Sequence, residues 1–516
     1  MTTVQHRPAP GDRRWKALGV CLTAGFMSLL DTSIVNVALP SMQRGLQASG
    51  ADLSWVVSGY ALTFGLALVP AGRLGDMRGR REAFLTGLAL FIVASAACGL
   101  SPGASWLVLF RLLQGAAAGM IAPQTSGLIQ QMFQGRERAR AFGMLGSVIG
   151  VSTAVGPLAG GLLIQAFGTG DGWRWVFYVN LPIGVATFAA GLRLLPRLPA
   201  STGRREEFDL FGVLLLGSGV LALMLPLVQE QQWAGRRKWA LLPVAALLLA
   251  AFWAWERRAG RRGRAPLLDL RLFSLRSFTL GALISLTYFA GFTTVFFVYS
   301  LFLQNTVGYS ALAAGLTVLP FAAASAVGAA AGGRLVTRFG RKLVVVGLSA
   351  VALGLLGVVV AVQLVPGEGV GWASALPLLI GGIGSGLTVS PNTTLTLTRV
   401  PVRRAGAAGG VLQTGQRVGS AAGIAVVGAV YFAHQANHSH PATAIQLGLL
   451  TAVGIIMIAL ALAVADLRER RTHPEPEGTG PPVGRDCEEG GAQERVRRAV
   501  EGTRPGHHLE TGPDTT

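Results

Sequence analysis

Two stretches, GRLGDMRGRR at Gly72–Arg81 and GRLVTRFGRK at Gly333–Lys342, decide how this chain is built. They agree at Gly72/Gly333, Arg73/Arg334, Leu74/Leu335, Gly79/Gly340 and Arg80/Arg341, and each closes on a basic residue, Arg81 or Lys342. A match at this separation marks an internal duplication. Working outward, apolar blocks lie at about 15–39, 53–72, 83–101, 104–127, 139–165, 173–195, 210–229, 239–255, 277–303, 310–333, 343–364, 372–396, 408–432 and 444–466. Each is close to the roughly 20 residues that a bilayer core requires of a helix. If each copy of the repeat follows the second span of a unit, spans 1–6 and 9–14 are two six-helix bundles and spans 7–8 are an inserted hairpin. The expected division is a short N-terminal segment 1–14, a bundle 15–195, the inserted pair with its linkers 196–276, a bundle 277–466 and a tail 467–516.

Composition agrees with an all-α polytopic membrane protein. Charged residues make up 13% of the 516, hydrophobic residues 51%, and the mean hydropathy is +0.50. A soluble domain carries about 25% charged residues. The net charge of +19 sits in short clusters between apolar blocks, which is membrane topology rather than a nucleic-acid footprint. The even-numbered gaps hold most of the Lys and Arg between blocks, whereas the odd side holds Arg44, Arg174, Arg236, Arg237 and Lys238. The positive-inside bias therefore puts both termini in the cytoplasm of a multi-pass plasma-membrane protein. The N-terminus reads as an uncleaved first span, and the Pro-, Gly-, Glu- and Arg-rich tail from about Leu467 as a disordered cytoplasmic segment. Cys21, Cys98 and Cys487 give no disulfide framework, and no cluster has metal-ligand spacing. No Walker-type glycine loop is present, so an ion gradient is the expected energy source, with no cofactor. Between spans 8 and 9, APLLDLRLFSLRSF (Ala265–Phe278) reads either as an interfacial helix or as an irregular basic loop.

Individual residues carry the chemistry. Asp31 is the one carboxylate found well inside a block. A charge there costs at least a few kcal/mol, so it pairs, faces water, or holds its proton. Each state suits a group that loads and unloads a proton; a polar cap in a wet vestibule is the alternative. Arg111 cannot discharge and needs an anionic or carbonyl partner. Arg417 is a second intramembrane cation, with a structural or gating role expected. In span 5, Gly146, Gly150, Gly156, Gly160 and Gly161 allow a close helix approach, and Pro157 bends the helix. In Gly72–Arg81, Asp76 is the one acid among Arg73, Arg78, Arg80 and Arg81; at the start of a helix the dipole there favours it. The second copy has Thr337 in its place.

These residues resemble the major facilitator superfamily, and within it the fourteen-span drug:proton antiporters of bacteria. GRLGDMRGRR resembles the loop signature between the second and third helices. LVLFRLLQGAAAG (Leu107–Gly119) is similar to the fourth-helix signature, and GSVIGVSTAVGPLAGG (Gly146–Gly161) to the fifth-helix signature of antiporters. LDTSIVNVALP (Leu30–Pro40) and WRWVFYVNLPIG (Trp173–Gly184) resemble the first-helix and fourteen-span signatures. The likeness covers about residues 15–466.

The resemblance implies a proton-driven exporter of drugs or antibiotics, not an enzyme. Two bundles surround its central cavity. It implies that Arg111, followed by Gln114 and Gly115, serves proton transfer; a structural arginine bonded to backbone carbonyls is the alternative. It also implies that Gly72, Asp76, Arg78, Gly79, Arg80 and Arg81 form a conformational latch, and that the span-5 glycines and Pro157 limit leakage; simple glycine packing is the alternative. Cavity candidates are Asn36, Tyr60, Gln114, Gln124, Asn180, Tyr288, Gln304, Asn392, Gln413 and Arg417, most of which also suit interhelical hydrogen bonds. Phe289, Phe292, Phe296 and Phe297 offer an aromatic surface or lipid-facing packing. The expected partners are a lipophilic small molecule, monovalent or neutral, with protons and the bilayer; the chain is expected to be a monomer. A dedicated exporter of one metabolite, or a symport importer, competes with this reading. A membrane enzyme or sensor lacks the residue arrays or added domain it needs.

Overall fold

The structure is a computed structural model that describes residues 11–168, 170–197, 209–229, 233, 235–262, 266–365, 367–436 and 441–472. Every regular element among them is helical: α1 (Gly11–Leu46), α2 (Gly50–Arg78), α3 (Arg80–Gly99), α4 (Ala104–Met132), α5 (Gly135–Phe167), α6 (Trp173–Tyr178), α7 (Asn180–Leu194), α8 (Leu210–Val228), α9 (Leu241–Arg261), α10 (Arg276–Phe302), α11 (Ala311–Phe339), α12 (Arg341–Leu364), α13 (Val370–Ala373), α14 (Ala375–Leu397), α15 (Ala405–Ala436) and α16 (Pro441–Thr472), with short 3₁₀ and π turns between some of them. With α6–α7 and α13–α14 each forming one span, fourteen helices are long and apolar enough to cross a membrane. In such a setting the backbone must bond to itself, which is why helices are chosen throughout.

Both copies of the repeat fold alike. Gly79 and Gly340 break the chain between α2 and α3 and between α11 and α12, with φ of +112° and +52°. Only glycine takes such a backbone cheaply, so each copy becomes a sharp corner between consecutive spans rather than a free loop. Elsewhere polar side chains set the starts. Ser49 and Asp52 cap α2 reciprocally, the Asp52 N–H donating to Ser49 Oγ at 3.1 Å and the Ser49 N–H to Asp52 Oδ2 at 3.0 Å. Asp209 and Ser310 cap α8 and α11.

Most buried apolar residues fall in two large cores, the first of which reaches across the seam to Leu397, Ala408 and Leu412. One core gathers Leu18, Phe84, Phe91, Ile121 and Phe142 from α1, α3, α4 and α5. The other gathers Ile284, Val298, Leu348, Val358, Leu449 and Ile456 from α10, α12 and α16. The halves meet along two seams, α5 against α11 and α2 against α15. Small residues make both possible. A Cβ added to Gly150 would lie 2.9 Å from the Ala322 carbonyl oxygen, and one on Gly410 would lie 2.5 Å from that of Leu68.

The inserted pair α8–α9 lies beside the α2/α15 seam. Met224 packs with Leu62 of α2 and Ala421 of α15, and Gln229 donates to Ser58 Oγ at 3.2 Å. At its other end Asp209 accepts from Trp255 Nε1 at 2.8 Å, and Glu256 accepts the Leu268 N–H at 3.3 Å. The basic segment that follows is not an interfacial helix but, from residue 266 on, an irregular stretch with its leucines turned inward. It makes a 3₁₀ turn at Leu270–Ser274, and Leu267, Leu268 and Leu272 are buried in the first core. Its alternation of Leu and Arg is satisfied by packing inward rather than on a lipid surface. The expected tail falls beyond the described residues from 473 onward, while α16 continues to Thr472.

Candidate coupling and latch sites

Four helices of the first half converge on Asp31, whose side chain is fully buried. Arg111 Nη1 of α4 lies 2.6 Å from Asp31 Oδ2 and 2.8 Å from Gln114 Oε1. Gln114 Nε2 donates to Asp31 Oδ1 at 2.9 Å, and Asn180 Nδ2 of α7 does so at 3.0 Å. Gln114 can reach because it sits one turn after Arg111 on the same face of α4. Arg111 Nε donates to the Val56 carbonyl at 3.0 Å, and its Cζ sits 4.2 Å from the centre of the Tyr60 ring, so α2 supplies both a carbonyl and an aromatic face. Asn180 also donates to Ser95 Oγ at 3.1 Å. The carboxylate thus accepts three donors, and the guanidinium meets one acid, one amide and one carbonyl. Such a buried pair holds only while both charges are present, since losing one strands the other.

Five of the sequence candidates, Asp31, Tyr60, Arg111, Gln114 and Asn180, therefore belong to one cluster. The remaining cavity candidates scatter. Gln124 donates to the Ala71 carbonyl at 2.7 Å, Tyr288 donates to Ser385 Oγ at 2.8 Å, and Asn392 donates to the Gly281 carbonyl at 2.9 Å; all three are buried ties between helices. Asn36 and Gln304 are exposed and bond within their own helical turns, to the Thr32 carbonyl and Ser300 Oγ. Gln413 and Arg417 are half-buried on α15. Phe289, Phe292 and Phe296 pack with one another, with Tyr288 and with Phe321 of α11, and Phe297 packs with Phe432.

At the basic end of the α2/α15 seam, Asp76 crosses between halves. Its Oδ1 accepts the Gly406 N–H at 3.0 Å and its Oδ2 the Ala407 N–H at 2.9 Å. The helix start it serves is that of α15, not that of the following helix α3. Its own position is the last turn of α2, where the dipole disfavours an acid, so the stabilising field comes entirely from the other half and from Arg80. Arg80 Nη2 lies 2.8 Å from Asp76 Oδ1, donates from Nη1 to the Gly127 carbonyl at 2.7 Å, and reaches the Val402 carbonyl across the seam. Gly72 faces Gly406 backbone to backbone. Arg81 donates to the Leu192 carbonyl at 2.8 Å, and Arg78 is exposed.

The second copy is wired differently. Arg341, the counterpart of Arg80, binds inside its own half: its Nε lies 2.6 Å from Asp466 Oδ2 of α16, and its Nη1 donates to Asn392 Oδ1 at 2.5 Å. Asp466 was not singled out by sequence because it stands at the border of the last apolar block. Its full burial makes it, with Asp76 and Glu256, a further enclosed acid beside Asp31.

In α5 the small residues serve two faces. Gly146 and Gly150 lie against Ala329, Ala322 and Ala326 of α11, whereas Gly156 and Gly160 lie against Ser33 and Ile34 of α1. Gly161 meets nothing within 4 Å. A Cβ added to Gly315 of α11 would come within 3.4 Å of Pro157 Cβ. Ser147 Oγ donates to the Ala326 carbonyl at 2.7 Å, adding a polar tie to the seam.

The profile of the Major Facilitator Superfamily matches residues 21–424. The chain is 38% identical over 428 residues to a probable actinorhodin transporter of Streptomyces coelicolor, covering 82% of this chain and 74% of that one. It is 34% identical to a tetracenomycin C resistance and export protein of Streptomyces glaucescens, covering 82% and 78%. Among solved structures, the proton:xylose symporter XylE superposes with a TM-score of 0.64 at 13% identity, covering 89% of this chain and 96% of that one, a likeness of fold.

Proposed function

This chain belongs to the Major Facilitator Superfamily, a family of membrane transporters, and from that membership we propose that it is a proton-coupled exporter of lipophilic small molecules in a bacterial plasma membrane. The observation that carries the reading is the sealed contact of Asp31 with Arg111 at 2.6 Å. Arg111 cannot discharge, so whether the pair is held together depends on the charge carried by Asp31 alone. Protonation removes that charge and leaves Arg111 to find its compensation elsewhere. Proton loading is thereby linked to a rearrangement of α1 against α4, and a substrate that favours the other arrangement is linked to the proton by the same equilibrium.

The latch supplies the second state. With the basic end on the cytoplasmic side, the contacts of Asp76 with Gly406 and Ala407 close the cytoplasmic mouth. Breaking them opens that mouth, and remaking them commits the carrier to the outside. The protein works as a monomer with no cofactor, and the proton gradient drives it. The relatives named for a single compound favour a narrower version, export of one endogenous metabolite, on the same machinery. Purified protein in vesicles with a pH dye inside tests the reading. Adding lipophilic compounds from a panel is expected to trigger proton movement, and accumulation that persists after the pH difference is collapsed counts against it.

A further inference from the structure

Arg417 sits on α15 about 18 Å of helix rise from Ala405, too deep to reach a lipid headgroup from that end. It faces the other half. Its Cζ lies 4.4 Å from the centre of the Phe64 ring of α2, and among the described residues it has no hydrogen-bond or ion-pair partner in the protein. Residues 410, 414, 417 and 421 share this face, since Gly410 abuts Leu68 and Ala421 packs with Leu62. Thr414, three residues before Arg417, carries a buried hydroxyl that is also without a partner.

Among the described residues every enclosed acid is engaged elsewhere: Asp31 with Arg111, Asp76 with Arg80 and the α15 amides, Asp466 with Arg341, and Glu256 with the Leu268 N–H. A guanidinium cannot deprotonate to relieve its burial, and an aromatic face compensates it only in part. The chain therefore holds a permanent positive charge in the membrane interior, on the face between its halves, without an anion of its own. We propose that Arg417, Thr414 and Phe64 form a substrate subsite for the acidic group of a lipophilic aromatic anion, a carboxylate or phenolate. Arg417 supplies charge-assisted donors and Thr414 a further hydroxyl, while Phe64, buried and stacked with Tyr60, backs the guanidinium. This rests on the exporter reading and narrows its substrates from monovalent or neutral compounds to monovalent anions.

The test is binding of 9-anthracenecarboxylate and of its methyl ester to the detergent-purified full chain at neutral pH, followed by anthracene fluorescence. Wild type is expected to hold the acid more tightly than the ester. Arg417→Gln is expected to weaken the acid by about tenfold or more and leave the ester unchanged, while Arg417→Lys keeps most of the preference. Equal affinity of wild type for acid and ester, binding of neither, or a parallel loss of both in Arg417→Gln overturns the subsite. Transport in vesicles separates the two readings. Acid-selective binding without any dependence of uptake on a pH gradient sinks proton-coupled export and leaves the subsite standing. Gradient-driven ester transport with no acid preference does the reverse.

Discussion

Asp31 and Arg111, eighty positions apart in the chain, meet at 2.6 Å with side chains 0% and 1% exposed. Replacing Asp31 by Asn keeps a group that can accept from Arg111 but removes the charge and the titration. The expected result is loss of substrate-triggered proton movement in vesicles. Substrate-for-substrate exchange, which needs no proton, persists. The stranded guanidinium costs about 3–5 kcal/mol before relaxation, so membrane levels measured by immunoblot serve as the control. Undiminished proton release from Asp31→Asn removes this carboxylate from the mechanism.

Asp76 accepts the Gly406 and Ala407 N–H groups on its two separate oxygens, so an Asn side chain, with one oxygen and a donor NH2, can keep only one of the two bonds. Asp76→Asn is therefore expected to lower turnover several-fold with the order of substrate preference unchanged. Thr337→Asn, at the matching place in the second copy, is expected to leave transport within about twofold, since its hydroxyl bonds only to the Arg334 carbonyl of its own helix. Initial rates for a panel of compounds distinguish a slowed cycle from an altered pocket.

Much of the architecture is legible in the residues alone. Span number follows from block length, and the pairing of halves from the two glycine-marked repeats. The glycines of α5 signal close approach, but not that Gly146 and Gly150 serve one neighbour while Gly156 and Gly160 serve another. That depends on the rotation of a helix that is small-faced nearly all round. Polar residues in apolar blocks were visible as a type, yet the gathering of Tyr60, Gln114 and Asn180 about the Asp31–Arg111 pair needs the crossing of four helices. Arg341 and Asp466 are separated by 125 residues, and nothing in local pattern joins them. The place of α8 was likewise hidden, because a helix so uniformly apolar carries little information about which side is covered.

The Arg341–Asp466 pair is expected to act on stability. Each side chain is sealed, and Asn392 and the Gly281 carbonyl extend the network to α14 and α10. Asp466→Asn leaves a buried guanidinium short of its counter-charge, at a cost of about 3 kcal/mol or more. Thermal unfolding of the purified protein should shift down by several degrees while transport per folded molecule changes little. An unchanged melting temperature, or a transport defect in fully folded protein, contradicts the assignment.

The α5/α11 seam gives the last expectation. At Gly150 an added Cβ meets the Ala322 carbonyl at 2.9 Å and the Ala326 backbone nitrogen at 3.0 Å, so the obstruction is backbone that cannot rotate away. Gly150→Val must push α5 away from α11, costing about 1–3 kcal/mol of packing. Gly161→Val, eleven residues on and meeting nothing, adds bulk of the same kind without that contact. The first is expected to uncouple or stall transport, read as a substrate-independent proton leak or a loss of exchange in vesicles. The second should behave as wild type. If both impair transport equally, bulk in α5 rather than the α11 contact is responsible, and the seam loses its place in the cycle.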